Sequence, residues 1–458
     1  MHFYTDQDVE VTGSKHYLEI GNENYLLDCG AWQGGTNANQ RNRDWTSSIP
    51  VDRLNGVILS HAHFDHCGLL PKLVKDGYEG KIWSTPATRD LASIIMLDSA
   101  KIQKYEKPAP SYDENDSIQT MGHFRCHAYH KEKKISNKLK CTFYDAGHIL
   151  GSSLVHLEVT EKKFLFFGEK KTNILFTGDL GRKNGPITKD PETNFPAPDY
   201  IVMESTYGNR LHASQSTARD ELKEIINKTI ARGGKVIIPS FAVERAQELI
   251  YHIKYLMRDA LIKRVPVYVD SPMASNATGV FNIHPECFNQ TIIDELLSKG
   301  KNPFSVRSLE FVSDFQASQH LSRQRKPCII ISANGMCEAG RILNHLKTGL
   351  ENENNTILIV GYMGEGTLGR KLLDGEKKVV IDQKEYNVNA EIQSIDAFSS
   401  HADYKEMIDW LKEVDTSKLK KIFLVHGDKE SREFFKEQLI LSGFPEVELV
   451  EKGKVYKL

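Results

Sequence analysis

Three histidines and an aspartate stand within six residues at His61-Ala62-His63-Phe64-Asp65-His66, directly after an apolar run over 56–60. Neutral imidazoles and a carboxylate are the ligands that zinc and its neighbours prefer. A strand that ends in a tight loop points all four into one volume. The competing reading, a polar surface loop, needs this order to arise by chance, on the order of one in a thousand for a chain of this composition.

Other candidate ligands sit at the carboxyl ends of apolar strands. Residues 17–20 and 25–27 read as two strands joined through Gly21-Asn22, and the second ends on Asp28. Residues 140–144 feed Asp145-Ala146-Gly147-His148, 173–176 feed Thr177-Gly178-Asp179, and 200–203 feed Glu204-Ser205-Thr206. One such residue is more often a capped turn. Five of them, Asp28, His61, His148, Asp179 and Glu204, predict one shared rim. Helical periodicity over 69–75 and 86–103, with a short strand at 81–83, makes strands and helices alternate from the start.

From Ser216 the texture changes to long helices between short apolar strands at 235–239, 265–269, 328–331 and 356–360. Runs apolar on both faces that alternate with helices predict a parallel sheet covered on both sides. Further on, Phe398-Ser399-Ser400-His401-Ala402-Asp403 opens an amphipathic helix over 404–414, and an apolar strand over 421–425 ends on His426-Gly427-Asp428. This tail repeats the strand-end histidines of the first part and is expected to fold back onto it. The second domain is then an insertion, with boundaries at 1–207, 208–392 and 393–458.

Two stretches invite over-reading. Residues 107–138 are polar, carry Pro108 and Pro110, and include His123, His127 and His130. Their spacing fits no standard metal signature, so a surface excursion is expected there. Gly364-Glu365-Gly366-Thr367-Leu368-Gly369 matches a dinucleotide fingerprint, but Gly375 breaks the following helix after barely a turn. A backbone-amide nest for the phosphates of a polymer substrate is the better reading of Gly364.

A formal net charge of -2 supplies no overall basic field, so any nucleic-acid partner requires a local basic surface. Seven cysteines without a C-x-x-C pair argue against a disulfide framework and for a reducing compartment. Asp6, Asp8 and Glu10 stand where a leader would carry basic and apolar residues, and no apolar run is long enough to span a bilayer. A cytoplasmic protein with no membrane partner is expected.

With these residues in place, the chain resembles the metallo-β-lactamase superfamily and, within it, the β-CASP nucleases. Asp28, the cluster from His61 to His66, His148 and Asp179 match that superfamily's motifs in order. Glu204, in Glu-Ser-Thr-Tyr-Gly, His401 and His426 match the three added β-CASP motifs. The likeness reaches 239–245, 270–273 and 332–336, and so covers nearly the whole chain. It looks most like the branch containing the endonuclease subunit of the eukaryotic mRNA 3′-end processing machinery and its bacterial and archaeal relatives. Residues 107–138 depart from that pattern. The fold implied is α/β, a metallo-β-lactamase αββα sandwich with an inserted β-CASP α/β domain.

The resemblance implies two zinc ions. His61, His63 and His148 would hold one, Asp65, His66 and His426 the other, with Asp179 between them and Asp28 orienting the cluster from outside. It also implies hydrolysis of single-stranded RNA in a cleft between the domains, by a hydroxide held between the zincs, leaving 5′-phosphate and 3′-hydroxyl ends. His401, beside Glu204, would protonate the leaving oxygen, and Asp65 and Asp179 would share in the chemistry. A histidine at that position goes with RNA-cleaving members, whereas DNA-processing members usually have valine. Arg245, Arg341 and Arg370 follow strand ends of the inserted domain, and with Ser332, Asn334, Gly335, Gly364 and Ser400 are expected to contact phosphates. A homodimer or a place in an RNA-processing complex is compatible with this reading. Two rivals are a hydrolase of a small ester or thioester on the same site and a catalytically silent RNA-processing scaffold. The first leaves the inserted domain and His401 unexplained; members of the second kind usually lose ligands that this chain keeps.

Overall fold

The computed structural model describes residues 1–34, 37–105, 110–162, 168–212, 215–299, 302–361, 363–364, 366–444 and 446–458. Contacts divide the chain into two compact units, one of residues 1–211 with 401–458 and the other of residues 212–400.

The first unit is built on two seven-stranded sheets. One runs in the order Tyr456–Lys457, His2–Thr5, His16–Ile20, Glu23–Leu27, Gly56–Ile58, Lys81–Ser84, Phe124–Cys126. The other runs Glu446–Leu449, Lys421–Leu424, Tyr200–Met203, Glu169–Phe176, Ser153–Lys162, Leu139–Asp145, Lys133–Lys134. Side chains alternate across each strand, and both faces of the second sheet find a core. Ile174 and Phe176 join Phe3, Leu18, Tyr25 and Ile58 of the first sheet in one buried cluster. Leu175, Ile201 and Leu424 point the other way, into a cluster with Met407, Trp410, Leu411, Phe435 and Leu439. Those last residues come from the helices Tyr404–Glu413 and Lys429–Leu441. On the side of the first sheet, Pro86–Gln103 buries Leu91, Ala92, Ile95 and Met96. The chain's tail joins the second sheet: Lys421–Leu424 pairs in parallel with Tyr200–Met203.

The second unit holds a six-stranded sheet, in the order Leu309–Phe311, Val267–Asp270, Ile329–Ser332, Val236–Pro239, Thr356–Ile359, Glu391–Ser394. Every neighbouring pair in it is parallel. The four central strands are the apolar runs read from the sequence, and Val236, Ile237 and Ile238 are wholly buried.

Within 107–138, the described residues form regular elements. Lys107 and Pro108 lie outside the described residues. From Ser111 on, Asp113 and Asp116 form a reciprocal capping box that starts the helix Glu114–Met121. Phe124–Cys126 then extends the first sheet at its edge. The three histidines are dispersed: His123 Nδ1 lies 2.8 Å from the Gly80 carbonyl oxygen, His130 Nε2 lies 2.7 Å from Glu192, and the His127 amide bonds Ser84. In the Gly364 stretch Glu365 lies outside the described residues, and the following helix, Leu368–Leu373, has only six residues.

Candidate metal centre

Strand ends deliver the site. Asp28 follows Glu23–Leu27 and His426 follows Lys421–Leu424 by two positions, and both adopt the left-handed backbone region, at φ 57° and 50°. Such conformations in non-glycine residues cost about 1 kcal/mol or more and persist where the surroundings impose them. The loop carrying the histidine cluster is clamped from behind. The Cys29 amide donates to the His66 carbonyl, the Ala31 amide to that of Phe64, and the Ser14 amide to that of Asp65.

Four overlapping groups of donors result among the described residues, two of which also contain Asp28 or Glu204; the other two form the centre. The first joins His61, His63, His148 and Asp179; the second joins Asp65, His66 and His426. Asp179 faces both. Its Oδ2 lies 3.3 Å from His61 Nε2 and 3.5 Å from His148 Nε2, and its Oδ1 lies 3.2 Å from His66 Nε2 and 3.4 Å from His426 Nε2. Asp65 Oδ2 stands 3.7 Å from His426 Nε2 and 3.9 Å from His66 Nε2.

The donors fit a cation. Among the described residues, His61 Nε2 and Asp179 Oδ1 are buried without a hydrogen-bond partner, a costly state that a bound positive charge would relieve. Ring nitrogens also face one another, His148 Nε2 with His63 Nδ1 at 3.1 Å and His66 Nε2 with His426 Nε2 at 3.4 Å. Burial drives the His61 and His148 pKa values well below the ordinary histidine value and that of His426 down to about 3. Neutral imidazole is the form that ligates. Burial opposes the ionised form of Asp179, but His66, His426 and His61 hold its pKa well below the usual carboxylate range.

Asp28 orients two of the rings. Its Oδ2 accepts from His66 Nδ1 at 2.6 Å and from Ser60 Oγ at 2.8 Å, and Ser60 Oγ in turn faces His61 Nδ1 at 3.0 Å. Because the Ser60 proton goes to Asp28, Ser60 accepts the Nδ1 proton of His61. His61 then presents its Nε2 lone pair inward, whereas burial opposes the charged form of His66 but Asp179 and Asp28 favour it, so a cation there would have to displace its Nε2 proton. Ser60 was not anticipated from the sequence, although its position before His61 offered a signal. Gln7, whose side-chain nitrogen lies 3.0 Å from His426 Nδ1, offered none, being 419 positions away.

Beside the first group, His401 Nδ1 lies 3.1 Å from Glu204 Oε2 and 3.9 Å from Asp179 Oδ2. Glu204 is fully buried and also accepts the Leu180 amide, while one fifth of the His401 side chain remains exposed. Burial works against charge on His401, but Glu204 and then Asp179 raise its pKa to about 9. His401 does not cap the helix after it. Asp403 does so, through the Lys405 and Glu406 amides.

The expected phosphate contacts lie within the second unit and have partners there. Arg245 bonds Glu248 and, at 3.2 Å, Ser400 Oγ. Arg341 reaches Asp270 at 2.8 Å and the Val312 and Ser313 carbonyls, and Arg370 pairs with Asp374 at 2.6 Å. Ser332 is wholly buried and donates to the Asp270 carbonyl. The Asn334 side chain accepts the Met336 amide, Gly335 lies against Phe241, and the Gly364 carbonyl accepts from Thr367 Oγ1.

Comparison with known proteins agrees with this architecture. Residues 17–184 match a metallo-beta-lactamase superfamily domain, 246–372 a Beta-Casp domain, and 385–450 a domain described as a Zn-dependent metallo-hydrolase RNA specificity domain. A Thermus thermophilus protein named "Ribonuclease TTHA0252" is 36% identical over 445 residues, covering 97% of each chain. A protein named "Transcription termination factor FttA" from Methanosarcina mazei is 32% identical over 93% of this chain and 68% of its own length. Its namesake from Methanothermobacter thermautotrophicus is 33% identical over 92% and 65%. A crystal structure of a protein of unknown function from Enterococcus faecalis shares the fold, with a TM-score of 0.56 at 10% identity, covering 100% of this chain and 99% of that one. No helix among the described residues is long and apolar enough to cross a membrane. Donors in the order Asp28, His61 to His66, His148, Asp179, Glu204, His401 and His426, together with these relatives, place the chain in the β-CASP family of the metallo-β-lactamase superfamily.

Proposed function

We propose that this chain is a zinc-dependent ribonuclease that hydrolyses phosphodiester bonds of single-stranded RNA, leaving 5′-phosphate and 3′-hydroxyl ends. The observation that carries the reading is His401, partly exposed, held by buried Glu204 and lying 3.9 Å from the Asp179 carboxylate that faces both donor groups. The ribonuclease name of one relative and the RNA-specificity description matched over 385–450 support RNA as substrate.

His61, His63, His148 and Asp179 would hold one zinc, and Asp65, His66, His426 and Asp179 a second. Bound there, the two cations supply an acidified water and neutralise charge on the scissile phosphate. Asp65 and Asp179 orient that water toward phosphorus. His401, charged at neutral pH, gives its proton to the departing 3′-oxygen, and Glu204 stabilises the charged ring before transfer and fixes its direction. Asp28 and Ser60 keep His61 and His66 in the ligating tautomer. Arg245, Ser332, Asn334, Gly335, Arg341, Gly364, Arg370 and Ser400 are proposed to shape the backbone and charge of the RNA-binding surface. A cytoplasmic location completes the reading.

The test compares labelled single-stranded RNA, DNA of the same sequence and a chromogenic ester, each with and without a chelator. Chelator-sensitive cleavage of RNA is expected. Ester turnover with intact RNA would overturn the reading in favour of a small-ester hydrolase, and no turnover of any substrate by zinc-loaded protein would favour a scaffold.

A further inference from the structure

We propose that Gln7 governs the affinity of the second metal position by selecting which nitrogen of His426 carries the proton. This rests on the reading of the site as a two-zinc centre. His426 turns Nε2 toward Asp65, His66 and Asp179, at 3.7, 3.4 and 3.4 Å. To ligate through Nε2, the neutral ring must keep its proton on Nδ1, and a buried N–H needs an acceptor. His66 has Asp28 and His61 has Ser60. The Nδ1 of His426 instead meets the side-chain nitrogen of Gln7 at 3.0 Å, a donor.

That nitrogen is over-subscribed. It also lies 3.2 Å from the Glu10 carbonyl and 3.3 Å from that of Thr12, so two protons face three acceptors. Meanwhile Gln7 Oε1 is buried with no hydrogen-bond partner among the described residues, in a residue 2% exposed. In this arrangement Gln7 donates to Nδ1, which places the His426 proton on Nε2, directed at the carboxylates and in the way of a cation. Turning the amide over presents Oε1 to an Nδ1 proton, satisfies the orphaned oxygen and frees the Nε2 lone pair. It also gives up the bonds to Glu10 and Thr12. Loading the second position therefore carries the cost of reorienting one amide, and the first position, whose rings have no link to Gln7, does not.

Metal-stripped protein titrated with zinc against a competing chelator yields the two stepwise dissociation constants. The parental chain is expected to bind two equivalents, the second at least about tenfold more weakly. Gln7→Glu, which offers only acceptors, is expected to tighten the second equivalent by about 10–100-fold, the usual reach of a ligand's outer partner, and to leave the first unchanged. Equal shifts in both equivalents, or none, would overturn the proposal. A parental chain that binds fewer than two equivalents would overturn the two-zinc reading along with it. Imidazole 15N shifts of the parental protein give a readout independent of the variant's folding. His426, assigned by the signal missing in His426→Asn, should carry its proton on Nε2 when stripped and on Nδ1 when loaded. An Nδ1 proton in the stripped protein would refute the tautomer switch.

Discussion

His401 is held charged by neighbours that the reaction does not consume. Glu204 accounts for much of this, and removing its charge has a directional consequence. The cleavage rate should fall as pH rises through the His401 pKa, because the ring then loses the proton it must donate. That limb is set at or below about 9, since the two proposed zinc ions would draw the value of about 9 downward. Glu204→Gln removes a term that raises this pKa, so the alkaline limb of the rate–pH profile moves to lower pH; an unmoved limb would detach Glu204 from the acid. His401→Ala is expected to slow RNA cleavage by about 10²–10⁴-fold, the usual span for a general acid, with zinc content unchanged by elemental analysis. Asp28→Asn supplies an amide where three protons must be accepted, from His66 Nδ1, Ser60 Oγ and the Ser60 amide. Zinc affinity should drop by about 10–100-fold, measured by chelator competition, while a variant binding zinc like the parent would show that Asp28 does not set the tautomers.

Loops at strand ends carry the site, and their backbone is packed too closely to tolerate added atoms. A β-carbon on Gly30 would sit 1.5 Å from the Asp65 carbonyl oxygen, which is backbone and has nowhere to go. Gly30→Ala is expected to cost about 3 kcal/mol, the upper end of overpacking penalties, and to lower zinc stoichiometry as Asp65 is displaced; denaturant unfolding and metal analysis check both. By contrast Asp403→Ala removes a helix cap and should cost about 1 kcal/mol with zinc binding intact. Much of this was legible beforehand. Apolar runs that end in a single Asp, Glu or His mark strands of the first unit, and apolar runs alternating with helices mark those of the second, because a strand buried on one or both faces must be written in apolar residues. The helix Glu114–Met121 was not read, because it is short, buries only Ser117 and Thr120, both polar, and starts in the Asp113/Asp116 capping box inside a polar stretch. Nor were the partners of Arg245 and Arg341 legible: pattern marks an arginine after a strand, but its bonds to Glu248 and Asp270 are set by packing. Gln7 lies at the far limit, since nothing local ties residue 7 to residue 426.

At the scale of the whole molecule, the site closes very long loops in the chain. His66 and His426 meet across 360 positions, and both lie in the first unit because the chain leaves it after Leu211 and re-enters at His401. A cation bound by such distant ligands binds the folded state alone, so it stabilises the first unit by mass action, about 2.7 kcal/mol per site at a hundredfold excess over Kd. The second unit contributes none of the proposed ligands and gains nothing directly. The tryptophans allow the two to be followed separately, since Trp32, Trp45, Trp83 and Trp410 all belong to the first unit. Stripping zinc should lower the thermal midpoint seen by tryptophan fluorescence by on the order of 10 °C, given two sites and a shift of about 2–4 °C per kcal/mol for units of this size. The part of the far-ultraviolet circular dichroism lost independently of the tryptophan signal, which reports the helices of the second unit, should keep its midpoint. Equal fluorescence midpoints with and without zinc would mean that the donors drawn from residues 61–426 do not hold a metal together.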